Sequence, residues 1–150
     1  PNVFQIPQQT APLDLSTDSF YDSRKEKIID RINSIRLGGF SEIITNSYNS
    51  FYGYQAIGCS WDLFTLQNLL DISNCIGGEK LSSILRYLAE DYKNNCSGMP
   101  DLIIFNSHTL EYKLIEVKST NDRLSDAQKN WNSVFRKFNI NFSLCKVLDT

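Results

Sequence analysis

Apolar positions along the chain change period several times. Ile28, Ile32 and Ile35 recur at helical spacing with Ile29 beside them, while Arg24, Lys25, Lys27, Arg31 and Arg36 fill the opposite face. This predicts an amphipathic helix over 20–37. Thr17, Asp18 or Ser19 can cap its start, and Gly38-Gly39 is expected to end it. Residues 40–57 stay ambiguous. Phe40, Ile43, Ile44, Tyr48 and Phe51 fit a short helix, but Asn46, Ser47, Asn49 and Ser50 weaken it. Trp61, Phe64, Leu66, Leu69, Leu70 and Ile72 suggest a further helical segment whose aromatics read as core. After the break at Gly77-Gly78, Leu81, Ile84, Leu85, Leu88 and Tyr92 give a clean stripe to about residue 93.

The period then drops to two. Strands are expected over 101–106 and 111–118, around a turn at Ser107-His108-Thr109-Leu110. A helix over 125–138, with the stripe Ala127, Trp131, Val134, Phe135 and Phe138, leads to a last strand over 142–147. The expected class is α/β: a small, mostly antiparallel sheet, made of hairpin 101–118 plus the final strand, flanked by helices. Residues 1–18, punctuated by Pro1, Pro7 and Pro12, read as an extended arm.

Composition narrows the class. The 150 residues suit one domain, and 41% hydrophobic with 21% charged residues is globular. No apolar run matches a membrane span, so no membrane partner is expected. The first residues lack the basic and apolar blocks of a secretion signal, so the protein is not expected to be secreted. Cys59, Cys75, Cys96 and Cys145 form no C-x-x-C pair, and His108 is remote from them in sequence. Reduced thiols are expected, not a zinc site. The net charge of −2 means that any nucleic-acid contact must rest on local basic patches, metal ions or other domains. The basic face of helix 20–37 is one such patch, although Glu26 and Asp30 are interleaved as possible ion-pair partners.

The hairpin holds the candidate chemistry. Regular antiparallel pairing sets Phe105 against Tyr112, Ile103 against Leu114 and Asp101 against Glu116. Lys118, two residues after Glu116, faces the same side. Two carboxylates and a lysine therefore converge at one end of the sheet. A register slip of one residue would undo this. Paired carboxylates repel, and a divalent cation removes the repulsion; oxygen ligands select Mg²⁺ or Mn²⁺. The competing reading makes Asp101 a turn cap after Met99-Pro100, and Glu116 and Lys118 an edge-strand charge pair. Gln128 on the last helix can face this site or water. Trp131 reads as core.

Pro100-Asp101 followed by Glu116-Val117-Lys118 resembles the PD-(D/E)XK nuclease pattern. Gly98-Met99-Pro100-Asp101-Leu102, the Glu116 motif, Asn121-Asp122-Arg123-Leu124-Ser125 and Gln128 with Trp131 are more specifically similar to the virus-type replication-repair nuclease (VRR-NUC) domain. The likeness extends to residues 12–21, to Ser60-Trp61-Asp62-Leu63-Phe64 and to Cys75-Ile76-Gly77-Gly78, and so over nearly all of 1–150. It implies a PD-(D/E)XK-like fold and a structure-selective DNA endo- and exonuclease. Such an enzyme cuts 5′ flaps and branched DNA in interstrand cross-link repair, using Mg²⁺ or Mn²⁺. The implied metal ligands are Asp101, Glu116 and the Val117 carbonyl, and Lys118 is the implied catalytic lysine.

The family's further catalytic glutamate lies upstream of a Pro-x-Val-Phe segment, which matches Pro1-Asn2-Val3-Phe4. That glutamate is therefore expected before residue 1. The chain would then be the C-terminal part of a longer protein, whose remainder supplies the glutamate and DNA-binding domains. Glu79 and Glu90 are the internal alternatives. The alternative function is a catalytically incomplete module that binds DNA or organises a complex. The expected location is nuclear in a eukaryote and cytoplasmic otherwise.

Overall fold

The computed structural model describes residues 8–148. Pro1-Asn2-Val3-Phe4 and the rest of 1–7 lie outside the described residues. Residues 8–18 run through successive turns. Leu15 N–H donates to Pro12 O and Thr17 N–H to Asp14 O. Two contacts tie this segment down: Ile57 N–H to Thr10 O at 3.0 Å, and a two-pronged ion pair from Arg24 to Asp14 at 2.7 and 2.9 Å.

Helix α1 (Ser19–Asp22) and α2 (Lys25–Ser34) lead into a π-helical turn, Ile35–Gly39, and then α3 (Phe40–Phe51). The expected stop at Gly38-Gly39 is a kink. Gly38 takes φ 97°, and the chain re-enters a helix at Phe40. The ambiguous stretch after it is helical, because Phe40 is buried there and anchors it. Helix α4 (Leu66–Ile76) starts later than the apolar pattern suggests. Thr65 caps it, accepting from Asn68 N–H while Asn68 bonds back to Thr65 N–H. Trp61 sits in the preceding turn and donates to Tyr54 O.

Helix α5 (Gly78–Glu90) and the single turn α6 (Tyr92–Asn95) complete the helical half. Strand β1 (Leu102–Asn106), β2 (Glu111–Lys118), α7 (Asp126–Lys137) and β3 (Phe142–Lys146) follow. No helix among the described residues is long and apolar enough to cross a membrane.

The sheet order is β1-β2-β3. β1 and β2 pair antiparallel in the expected register, with Ile103 opposite Leu114 and Phe105 opposite Tyr112. β3 joins β2 in parallel, with Glu116 opposite Leu144, so the sheet is mixed. The α7 crossover between β2 and β3 supplies the length that a parallel connection needs. Alternate residues of β2 point into the helical layer: Tyr112, Leu114 and Glu116 are buried. The first two join Cys75, Ile76, Ile84, Trp131, Val134, Phe135 and Ile140 in one core. Glu116 is a carboxylate in the same row, at the end where β2 leaves the apolar layer.

Candidate metal centre at the open end of the hairpin

Ile115 is the last β2 residue paired with β1, opposite Leu102. One step further, the register sets Asp101 against Glu116, as the spacing predicts. Asp101 stands just before β1 and turns its carboxylate onto the facing strand. Its Oδ2 accepts the Val117 N–H at 2.8 Å. In a strand, the N–H and C=O of one residue point to the same edge. The Lys118 carbonyl accepts from Val147 N–H on the β3 side. The neighbouring Val117 carbonyl is thus directed toward the Asp101 side.

Glu116 is 2% exposed. Burying a carboxylate is costly unless charge and hydrogen bonds compensate it. Here both compensations meet at one oxygen. Glu116 Oε1 takes the Lys118 ammonium at 2.9 Å and the Gln128 side-chain amide. The Lys118 ammonium is held above its usual range, first by its hydrogen bond to Glu116 and then by the charges of Glu116, Asp122 and Asp101. Asp122 is held below the usual carboxylate range, chiefly by the Ser119 amide, which donates to its Oδ2. Lys118 thus contacts Glu116 directly and also feels the charges of Asp122 and Asp101.

Local sequence explains the geometry. Ser125 caps α7 by accepting from Gln128 N–H, and Gln128 Oε1 accepts in return from Ser125 N–H. This box turns the Gln128 side chain back along the helix start, leaving its Nε2 to reach Glu116. The open choice for Gln128 is therefore resolved toward the site. The Ser-x-x-Gln spacing was the signal that could have resolved it in the sequence. Trp131 is core, as read, but its indole N–H also holds the carbonyls of Asn95 and Ser97, a role with no sequence signal. Asp122 is a further acid beside Lys118 that spacing alone did not single out.

Other candidates stand elsewhere. Glu79 lies 3.7 Å from Arg36 with its side chain largely exposed, and Glu90 is bonded to Arg86 at 2.7 Å. Among the described residues, no group of three or more His, Cys, Asp and Glu side chains gathers as a metal cluster. Neither Glu79 nor Glu90 therefore completes the Asp101 and Glu116 pair. His108 lies in the hairpin turn, its N–H donating to Asn106. All four cysteines are free thiols, Cys75 buried and the others exposed.

What remains open at the site is a set of oxygens. Asp101 keeps Oδ1 and Glu116 keeps Oε2 without a hydrogen bond from the described residues, and the Val117 carbonyl is directed to the edge of β2 that Asp101 occupies. This all-oxygen donor set suits a small hard divalent cation, which needs only one or two carboxylates from the protein.

Residues 38–149 match the VRR-NUC domain family. The Fanconi-associated nuclease 1 homolog of Arabidopsis thaliana is 42% identical over 151 residues, covering 98% of this chain and 17% of its own length. Fanconi-associated nuclease 1 of Homo sapiens is 37% identical over 152 residues, covering 99% of this chain and 15% of its own. The chain thus spans less than a fifth of either relative. A crystal structure of paFAN1 bound to 2nt 5′ flap DNA with a gap superposes with a TM-score of 0.87. It is 27% identical and covers 98% of this chain and 27% of that one.

Proposed function

From the premise that the chain belongs to the VRR-NUC domain family and has a PD-(D/E)XK-type fold, we propose that it carries most of the cutting centre of a structure-selective, metal-dependent DNA nuclease. The observation that carries this reading is the meeting of buried Glu116 and exposed Asp101 at one strand end, each with one oxygen that no hydrogen bond from the described residues occupies. Asp101, Glu116 and the Val117 carbonyl are the groups that would hold Mg²⁺ or Mn²⁺. A cation bound there supplies positive charge to the phosphodiester in attack and makes water more acidic.

The chain's own residues do the rest. Gln128 and Lys118 fix Glu116 by Oε1, which leaves Oε2 for the cation. Asp101 is fixed by the Val117 amide in the same way. Lys118, protonated throughout the neutral range, holds a scissile phosphate or orients water beside the acids. The substrate class is DNA with a 5′ flap or branch, and the biological setting is repair of interstrand cross-links in the nucleus. The crystal structure with flap DNA and the relatives named as Fanconi-associated nucleases support both. The rest of the parent protein supplies a further glutamate and DNA-binding domains, consistent with the small share of each relative that the chain spans.

A second reading follows from the absence, among the described residues, of a group of three or more His, Cys, Asp or Glu side chains that could hold a metal: a module that binds metal and DNA but does not cut. Flap cleavage with Mn²⁺ separates the two. The full-length protein should cut, and its Asp101→Ala and Glu116→Gln forms should be at least about 100-fold slower, the scale of a lost transition-state charge contact. Altered forms that cut as fast as the parent would refute the site. A parent that binds flaps without cutting them would support the second reading.

A further inference from the structure

The two acids reach the site by different routes, yet both routes end on the same helix. Glu116 arrives within β2 and is met by Gln128. Asp101, whose carboxylate meets the Val117 amide, arrives on the irregular segment between α6 and β1, whose own backbone lies outside the strand pairing. That segment is fastened to α7 at two points. The Trp131 indole N–H is shared between Asn95 O at 3.2 Å and Ser97 O at 3.0 Å. One residue on, Gly98 takes φ +88° and lies directly on the first turn of α7. A Cβ there would stand 2.7 Å from the Ala127 carbonyl carbon and 2.9 Å from Gln128 N. Only glycine permits that backbone approach.

The indole itself cannot swing. It is 1% exposed, edge-on to Tyr87 with centroids 4.7 Å apart and stacked on Phe135 at 5.5 Å. Pro100 then restricts the backbone between Gly98 and Asp101. Gln128 and Trp131 are three residues apart and share one face of α7.

We infer that the first turns of α7 act as a common jig for the metal centre: Gln128 positions Glu116, and Trp131, through the carbonyls of Asn95 and Ser97 and the Gly98 contact, positions Asp101. Both are positioning residues. Neither touches metal or substrate; each fixes where a ligand oxygen points. The helix start sets the gap between the two acids, so a shift of α7 changes that gap without unfolding the core. The inference rests on the proposed metal centre.

The test is an Mn²⁺ titration, by calorimetry and by half-maximal flap cleavage, on the full-length protein that carries this chain. Trp131→Phe keeps the ring stack and removes the N–H donor. Gln128→Met keeps the side-chain length and removes the bond to Glu116. Each should weaken Mn²⁺ affinity about 10-fold or more, the scale for outer-shell partners of metal ligands, with KM for flap DNA unchanged at saturating Mn²⁺. Phe40→Ala is the control for lost core packing away from the jig, because Phe40 is buried outside the cluster that holds Trp131. It should lower stability while leaving Mn²⁺ affinity within about 2-fold, as expected for a site that does not share its contacts. The inference is overturned if Gln128→Met and Trp131→Phe bind Mn²⁺ like the parent, or if Phe40→Ala weakens binding as much as they do. A parent protein that binds no Mn²⁺ contradicts the metal centre itself, a separate and recognisable outcome.

Discussion

Asp101 Oδ2 accepts the backbone N–H of Val117 at 2.8 Å, so the first acid is tied to the residue that lies between the second acid and the lysine. The contact fixes one carboxylate oxygen and leaves Oδ1 without a hydrogen bond from the described residues. Like charges placed together repel, and a cation between them relieves this. Asp101→Asn retains an oxygen for the Val117 amide and removes one negative charge. The metal-free variant should therefore melt at or above the parent's temperature but lose the rise that Mn²⁺ gives the parent. Calorimetry with chelator and then with Mn²⁺ reads both effects. A variant that melts lower without metal would show that the acids do not repel.

Lys118 supplies the positive charge that buried Glu116 needs when metal is absent. Lys118→Met strands that carboxylate beside Gln128 alone. The expected result is a clear loss of melting temperature in chelator and a smaller loss in Mn²⁺, because a bound cation replaces the missing charge. Equal losses in both conditions would place the cation too far from Glu116 to compensate it.

Thr65 and Ser125 close the same kind of reciprocal cap, on α4 and α7 respectively. Thr65→Ala and Ser125→Ala should each cost about 1 kcal/mol of stability. Only Ser125→Ala should also weaken Mn²⁺ binding, because only that cap orients a side chain bonded to Glu116. Urea titrations with and without Mn²⁺ compare the two directly.

Asp14 is held below the usual carboxylate range, chiefly by its hydrogen bond to the Arg24 guanidinium. A depressed folded value means that the contribution is fully present above the unfolded pKa of about 3.9 and fades as pH falls through the folded value. Asp14→Asn should therefore lower stability near neutrality and flatten the acid limb below about pH 4. Both partners are partly exposed, so the effect is small and shrinks with salt. Thermal melts across that range, at two salt concentrations, check the sign.

The hairpin was legible because alternation over β1 and β2, joined by a four-residue turn, admits one register that buries Tyr112 and Leu114 together. That register carried Asp101, Glu116 and Lys118 to one end. The direction of β3 was not legible, since period-two alternation reads the same up or down a strand. The continuation into α3 was hidden because a Gly-Gly pair signals a stop, whereas here Gly38 bends the chain and buried Phe40 restarts it. The depth of Glu116 was also hidden. Composition rules place acids outside, and only the joint presence of Lys118 and Gln128 allows this one inside. The Trp131 clamp joins carbonyls 34 and 36 residues away in sequence, a separation that no local pattern reports.

The central claim concerns which oxygens face the cation. It is tested most directly by crystals of the protein soaked in Mn²⁺ and measured at the manganese absorption edge. One anomalous peak is expected at about 2.1 Å from Asp101 Oδ1, Glu116 Oε2 and the Val117 carbonyl, near the distance for small divalent cations with oxygen ligands. A peak on other residues, or none at this strand end under saturating Mn²⁺, would contradict it.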